Sequence, residues 1–370
     1  MNATMIQTQK LPLHDQHASL GAKFMEFAGW TVPLQYTTIV EEHLAVRQKA
    51  GVFDVSHMGK FLIRGENALD YLETVLSNGL KKISPEKALY GLLLNENGGV
   101  IDDVIVYEMD RSRFFMIVNA SMREKDFHWL ESHRPEGVEL VNESSSKTIL
   151  AVQGPRSEGL LAKLFSFDFK DLKPFHFKIL QAFGTDVFVG ATGYTGERGF
   201  EIVNLKEKTQ EIFSKLLIIG KEFGLQPAGF GARDTLRLEA KYLLNGQDMD
   251  EEITPLEATL EWVLDFSKDF IGKEALLKQM DQGLSRRLVG FEMVGSGIAR
   301  HGHEIFEDGR KIGTVTSGTF SPTLQKAIGL GYLPLEYAAA GTEFLIRIRE
   351  RDVPARVVKT PFYKKKAVSE

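Results

Sequence analysis

Apolar positions along the chain follow two periods, one helical and one strand-like. Residues 37–50 read as a helix: Thr37 and Thr38 offer N-caps, Glu41 and Glu42 fall in the first turns, and Gly51 supplies a left-handed stop. Its apolar face (Ile39, Leu44, Val46) is only partial. A second helix is predicted over 66–77, where Leu69, Leu72 and Leu76 recur at helical spacing and Asn78-Gly79 ends the run. Alternation then takes over. Residues 88–94 and 100–107 are β-like runs, and Asn95-Glu96-Asn97-Gly98-Gly99 between them has the chemistry of a hairpin turn, because Asn and Gly tolerate positive φ. Residues 114–118 form a neighbouring strand, and 123–132, with Phe127, Trp129 and Leu130, a helix that packs on that sheet.

At Pro135-Glu136-Gly137 the pattern resets. A strand is predicted over 148–153, ended by Gly154-Pro155, and a helix through Leu160, Leu161 and Leu164. Residues 187–189 and 199–203 flank a Gly-rich loop, and helices follow over 209–223 and 233–244. From Arg286 onward short apolar runs (288–293, 311–317, 344–349) alternate with turns such as Glu307-Asp308-Gly309, which suggests a small all-β barrel or sandwich. The fold class expected from this order is α+β.

Composition narrows the chemistry. The 370 residues exceed what one core usually serves, so two or three domains are expected. Lys+Arg 45 against Asp+Glu 50 gives a net charge of −5, without the basic footprint of a duplex-binding protein. The chain has no cysteine, which removes disulfides, Cys-ligated zinc, iron–sulfur clusters and thiolate nucleophiles. Met1 to Pro12 lacks an apolar core of signal-peptide length, and no run approaches a membrane span, so a soluble, cytoplasmic protein is expected. Lys364-Lys365-Lys366 reads as a solvated tail.

Three places could carry chemistry. Asp102-Asp103 sits in a run of Val and Ile, where carboxylates are rare unless paired or functional. Adjacent strand residues face opposite sides, so Asp103 shares a face with Ile101, Ile105 and Tyr107, and Asp102 with Val100, Val104 and Val106. The plainer alternative is that both accept turn N–H bonds at the strand's start. In Gly193-Tyr194-Thr195-Gly196-Glu197-Arg198-Gly199-Phe200-Glu201, the glycines would let backbone approach a ligand, Tyr194 could lie against a flat ring, and Glu201 could accept two parallel hydrogen bonds. An ordinary hairpin loop is the alternative. Arg233-Asp234 opens the helix over 233–244, where Arg233 opposes the dipole and so points to a ligand or a salt bridge. His14 and His17 lack a third ligand at zinc spacing, and His57 reads as a buried, hydrogen-bonded side chain.

Taken together, the motifs carry a resemblance. Leu13-His14-Asp15-Gln16-His17, Phe27-Ala28-Gly29-Trp30, Gly51 to Met58, Gly98 to Asp103, Asn119-Ala120, Gln153-Gly154-Pro155, Gly193 to Glu197, Ala232-Arg233-Asp234, Ile312 to Gly318 and Thr360-Pro361-Phe362 occur in one order over essentially the whole chain. The chain closely resembles the aminomethyltransferase, or T-protein, family of the glycine cleavage system. That resemblance implies an α+β, three-domain cloverleaf around a central folate site with a C-terminal β-barrel. The implied domains are 1–52 with 139–280, 53–138, and 281–370.

The resemblance also implies the reaction. Ammonia is released from the aminomethyl-lipoyl arm of a carrier (H) protein, and the methylene unit passes to tetrahydrofolate, giving 5,10-methylenetetrahydrofolate. By the same resemblance Asp103 is the catalytic carboxylate, Glu201 and Arg233 bind the folate, and Tyr90, Asn119 and Tyr194 line its pocket. Tetrahydrofolate is the co-substrate and no metal is needed. The implied partners are the lipoylated carrier protein, with functional association to the glycine decarboxylase and dihydrolipoyl dehydrogenase components, and neither nucleic acid nor membrane. Related non-catalytic folate-binding proteins carry a Cys motif, which this chain lacks.

Overall fold

The computed structural model describes residues 8–365; Lys366 of the lysine run and the first seven residues, part of the stretch read for a leader, lie outside them. Two compact units divide the chain. The first holds residues up to Tyr71, Leu80–Leu89 and Val104–Asp234, and the second holds Leu72–Gly79, Tyr90–Asp103 and the chain from Thr235.

The first unit is built on a six-stranded sheet ordered Phe177–Ala182, Thr185–Gly190, Gly199–Leu205, Lys147–Gln153, Ala50–Asp54 and Leu225–Pro227. All neighbours are antiparallel except the last pair. Period-two alternation makes the central strand two-faced. Phe200 and Ile202 join Leu150, Val152, Ile212 and Phe213 in a core beneath helices Ser157–Phe165 and Thr209–Gly220, which leaves Glu201 on the other face. A second sheet in this unit pairs Gly59–Arg64 with Arg113–Val118 on one side and Glu139–Asn142 on the other, both antiparallel.

The second unit holds the hairpin tip. Asn95 makes the turn by accepting from the N–H groups of Asn97 and Gly99, each at 2.9 Å, and Gly98 takes φ +80°. The unit also contains a closed six-stranded barrel, ordered Arg286–Met293, Lys326–Pro334, Arg310–Ser321, Glu304–Glu307, Glu343–Ile348 and Arg351–Val358. Phe291, Ile305, Val315, Leu333, Phe344 and Ile346 fill it. At Asp308-Gly309 both residues have positive φ, the geometry of a tight hairpin turn. The α+β class and the terminal barrel are therefore as expected.

Two helix boundaries are corrected. The first helix is Ile39–Gln48, capped as expected by the Thr38 hydroxyl on the Glu41 N–H at 3.2 Å, but Gly51 does not stop it. Gly51 lies inside the strand Ala50–Asp54, where a Cβ would overlap Val46. The helix expected over 233–244 is Phe230–Glu239, so Arg233 is its fourth residue and Asp234 its fifth. It ends early because Asp248 accepts from the Arg237 guanidinium at 2.7 Å and from the Leu244 N–H at 3.0 Å, and Lys241 turns the chain at φ +57°.

Candidate functional site

Glu201 stands on the first unit's sheet opposite Ala151 on one side and Gly190 on the other. Its side chain is 7% exposed. A hydrogen-bonded chain reaches it: Tyr107 Oη lies 2.6 Å from Thr192 Oγ1, and Thr192 Oγ1 donates to Glu201 Oε2 at 2.5 Å. Burial and the nearby Glu201 charge push the Tyr107 phenol well above its usual range, so it remains a protonated donor. Gly190 makes room for this, since a Cβ there would come within 3.0 Å of the Tyr107 ring.

The Gly-rich loop folds around a side chain of the protein itself. The Gln153 amide donates to Thr192 O at 3.2 Å and accepts from Thr195 Oγ1 at 2.9 Å. A Cβ at either Gly193 or Gly199 would overlap that amide, so these two glycines serve internal packing and not the approach of a ligand. Arg47 holds the loop's far side through Thr195 O at 2.6 Å and Glu197 Oε1 at 3.1 Å.

Arg233 lies over the Tyr194 ring, 4.7 Å from its centroid. One face of that ring is thus taken by a guanidinium. Burial lowers the Arg233 pKa while the charges of Glu201 and Tyr194 oppose the shift, so acid and base feel one another. Its Nη1 is buried without a hydrogen-bond partner. Beside it a small cavity is lined by Val32, Pro33, Asp54, Gly229 and Phe230.

The second unit carries Asp103 and Tyr90. Tyr90 Oη donates to Asp103 Oδ2 at 3.2 Å, and its ring stacks on Trp262 at 5.6 Å and 17°. Trp262 is 67% exposed. Asp102 is fully buried, whereas Asp103 is half-buried. The hairpin turn's donors go to Asn95, which removes the reading of the Asp pair as turn acceptors. Asn119 is half-buried at the start of the short helix Ala120–Met122, where its carbonyl accepts from Met122 N at 3.0 Å.

The structure therefore brings together Glu201, Arg233 and Tyr194 in one unit, and Asp103 with Tyr90 in the other. Tyr107, Thr192, Gln153 and Trp262 are the additional participants. Only Tyr107 left a local trace, by sharing the strand face of Asp103. His57 is buried as expected, but its Nδ1 has no hydrogen-bond partner, and it packs edge-on against Phe27. His17 uses both nitrogens internally, on Asp54 at 3.0 Å and Tyr36 at 2.9 Å. Among the described residues no group of three acidic or imidazole side chains is placed to hold a metal.

Residues 13–268 match the GCVT N-terminal domain, and 286–364 match the glycine cleavage T-protein C-terminal barrel domain. The chain belongs to the glycine cleavage T-protein family. Curated relatives agree along the full length. The aminomethyltransferase of Halothermothrix orenii is 46% identical over 96% of this chain and 99% of its own. That of Caldanaerobacter subterraneus is 46% identical over 96% of each. The crystal structure of glycine cleavage system aminomethyltransferase T from Bartonella henselae superposes with a TM-score of 0.91 at 32% identity, covering 96% of this chain and 98% of that one. As a T-protein, the chain is a tetrahydrofolate-dependent aminomethyltransferase of the glycine cleavage system.

Proposed function

We propose that Glu201 and Arg233 bind the pterin of tetrahydrofolate and that Asp103 is the carboxylate that serves the transfer. Tyr90, Asn119 and Tyr194 line the pocket. The observation that carries the binding half is a pair of unused polar atoms. Glu201 Oε1 has no protein partner among the described residues, and Arg233 Nη1 is buried with none. One is an acceptor and the other a donor, and a pterin edge presents N–H groups beside a carbonyl.

The reaction makes a demand on charge. The aminomethyl carbon leaves the lipoyl sulfur of the carrier protein, ammonia departs, and the carbon becomes bonded to two folate nitrogens, while the lipoyl arm leaves as the dithiol. Positive charge grows on the carbon as ammonia departs. A fixed, half-buried carboxylate at Asp103, oriented by the Tyr90 hydroxyl, stabilises that charge without reorganising. The lipoylated carrier protein is the donor partner, with the glycine decarboxylase and dihydrolipoyl dehydrogenase components acting before and after it. No described helix is long and apolar enough to cross a membrane, and we place the protein in the cytoplasm. The three-domain division into 1–52 with 139–280, 53–138 and 281–370 belongs to the same proposal.

The test is ammonia release from aminomethylated carrier protein with and without tetrahydrofolate. Rapid release that requires both supports the assignment, and release independent of folate would overturn it.

A further inference from the structure

We infer that Tyr107 and Thr192 are positioning residues for folate recognition: their hydroxyl chain holds the Glu201 carboxylate so that it does not close an ion pair with Arg233. The inference rests on the reading of Glu201 as the pterin anchor.

Three observations carry it. First, the chain is directional. Thr192 has one hydroxyl proton, which goes to Glu201 Oε2 at 2.5 Å, so its oxygen accepts from Tyr107 at 2.6 Å. Tyr107 Oη also lies 3.5 Å from the same carboxylate oxygen, but its one proton is given to Thr192, so it acts on Oε2 through the Thr192 hydroxyl and Oε1 stays open. Second, the chain is anchored against movement. Tyr107 is fully buried, packed edge-on against Phe177 and Phe188 with centroids at 5.7 and 4.8 Å, and Thr192 is tied through its carbonyl to Gln153. Third, Glu201 and Arg233 interact electrostatically, yet no ion pair closes between them. Arg233 stays over the Tyr194 ring.

Opposite charges in a water-poor site attract strongly, so a free Glu201 side chain would collapse onto the guanidinium and consume both binding atoms. The Thr192 hydroxyl on Oε2, itself held by Tyr107, offsets part of that attraction and restricts the carboxylate's orientation. The two sites of recognition, Oε1 and Nη1, are thereby kept apart and ready. Pre-organisation of this kind affects binding more than chemistry, because the pterin anchor does not touch the reacting carbon.

The test is a double-mutant cycle read by calorimetric titration with tetrahydrofolate and by steady-state kinetics. Thr192→Val should weaken folate binding about tenfold, the worth of a hydrogen bond to a charged group, and Tyr107→Phe about threefold, since its bond is to a neutral hydroxyl. KM for folate should rise in step, with kcat within about twofold. Thr192→Ser keeps the donor and should bind like the parent protein. In a Glu201→Gln background, neither Tyr107→Phe nor Thr192→Val should cost anything further. Unchanged affinity in both single variants, equal losses in the Glu201→Gln background, or a Thr192→Ser as weak as Thr192→Val would overturn the inference while leaving the anchor intact. Glu201→Gln that binds folate like the parent protein would overturn the anchor itself, and the inference with it.

Discussion

The Tyr90 hydroxyl and the Asp103 carboxylate meet across one hairpin, at 3.2 Å, with the Tyr90 ring clamped against Trp262. A stacked ring cannot swing freely, so its hydroxyl fixes one orientation of the carboxylate. If that carboxylate stabilises charge in the transition state, Asp103→Asn should lower turnover by about 10²–10³. Folate affinity should change far less. Tyr90→Phe should cost turnover less than Asp103→Asn does. Steady-state kinetics beside calorimetric titration check both, and near-normal turnover in Asp103→Asn would refute the role.

Asp102 occupies the opposite strand face and is fully buried. Asp102→Asn should destabilise the fold by about 1–3 kcal/mol, because a buried carboxylate's interactions are weakened, and so lower the melting temperature. Activity per folded molecule should be largely kept. Melting curves and active-site-normalised rates separate the two carboxylates.

Glu201→Gln turns one acceptor oxygen into a donor. Folate affinity should fall by about 1.5–3 kcal/mol, the range for hydrogen bonds to charged groups. Calorimetric titration reads this directly, and the melting temperature serves as a control for folding.

Burial, reinforced by the Arg233 charge, pushes His57 down to about 3. The unfolded chain, with an ordinary value of about 6.5, binds more protons than the folded one between those limits. Stability must therefore fall as pH drops from about 6.5 toward 3. Lys60, lowered to about 7 chiefly by burial, acts in the same direction between about 10.5 and 7. His57→Gln should flatten the acid limb, and Lys60→Met the alkaline slope, in urea unfolding measured across pH.

Gly199→Ala forces a Cβ into the Gln153 amide. The protein should lose about 1–3 kcal/mol, the usual cost of overpacking. Adding Gln153→Ser should recover part of the loss in the same unfolding assay, since it removes the atoms the Cβ would meet.

What the sequence made legible was local. The 95–99 turn, the Thr38 cap and the two-faced alternation around Asp103 each depend on residues a few positions apart. What it hid was long-range. Tyr107 and Thr192 are 85 residues apart, and nothing in either stretch announces the other. The glycines at 193 and 199 were visible as small residues, but only the fold shows that Gln153 fills their space. The barrel strands Lys326–Pro334 and Arg351–Val358 were obscured by Gly329, Gly331 and Pro354. Gly329 is required because a Cβ there would overlap Phe291.

The strand Gly199–Leu205 is buried from its first residue through Asn204 and hydrogen-bonded to strands on both sides. Its amide protons have no shallow route to solvent, so their exchange should demand the largest opening of the first unit. A ligand gripped by Glu201 is thereby fastened to the slowest-exchanging segment rather than to a fraying loop. Occupancy by folate should stabilise that whole unit by mass action, lifting its melting temperature in proportion to the logarithm of folate concentration and slowing exchange throughout its sheet.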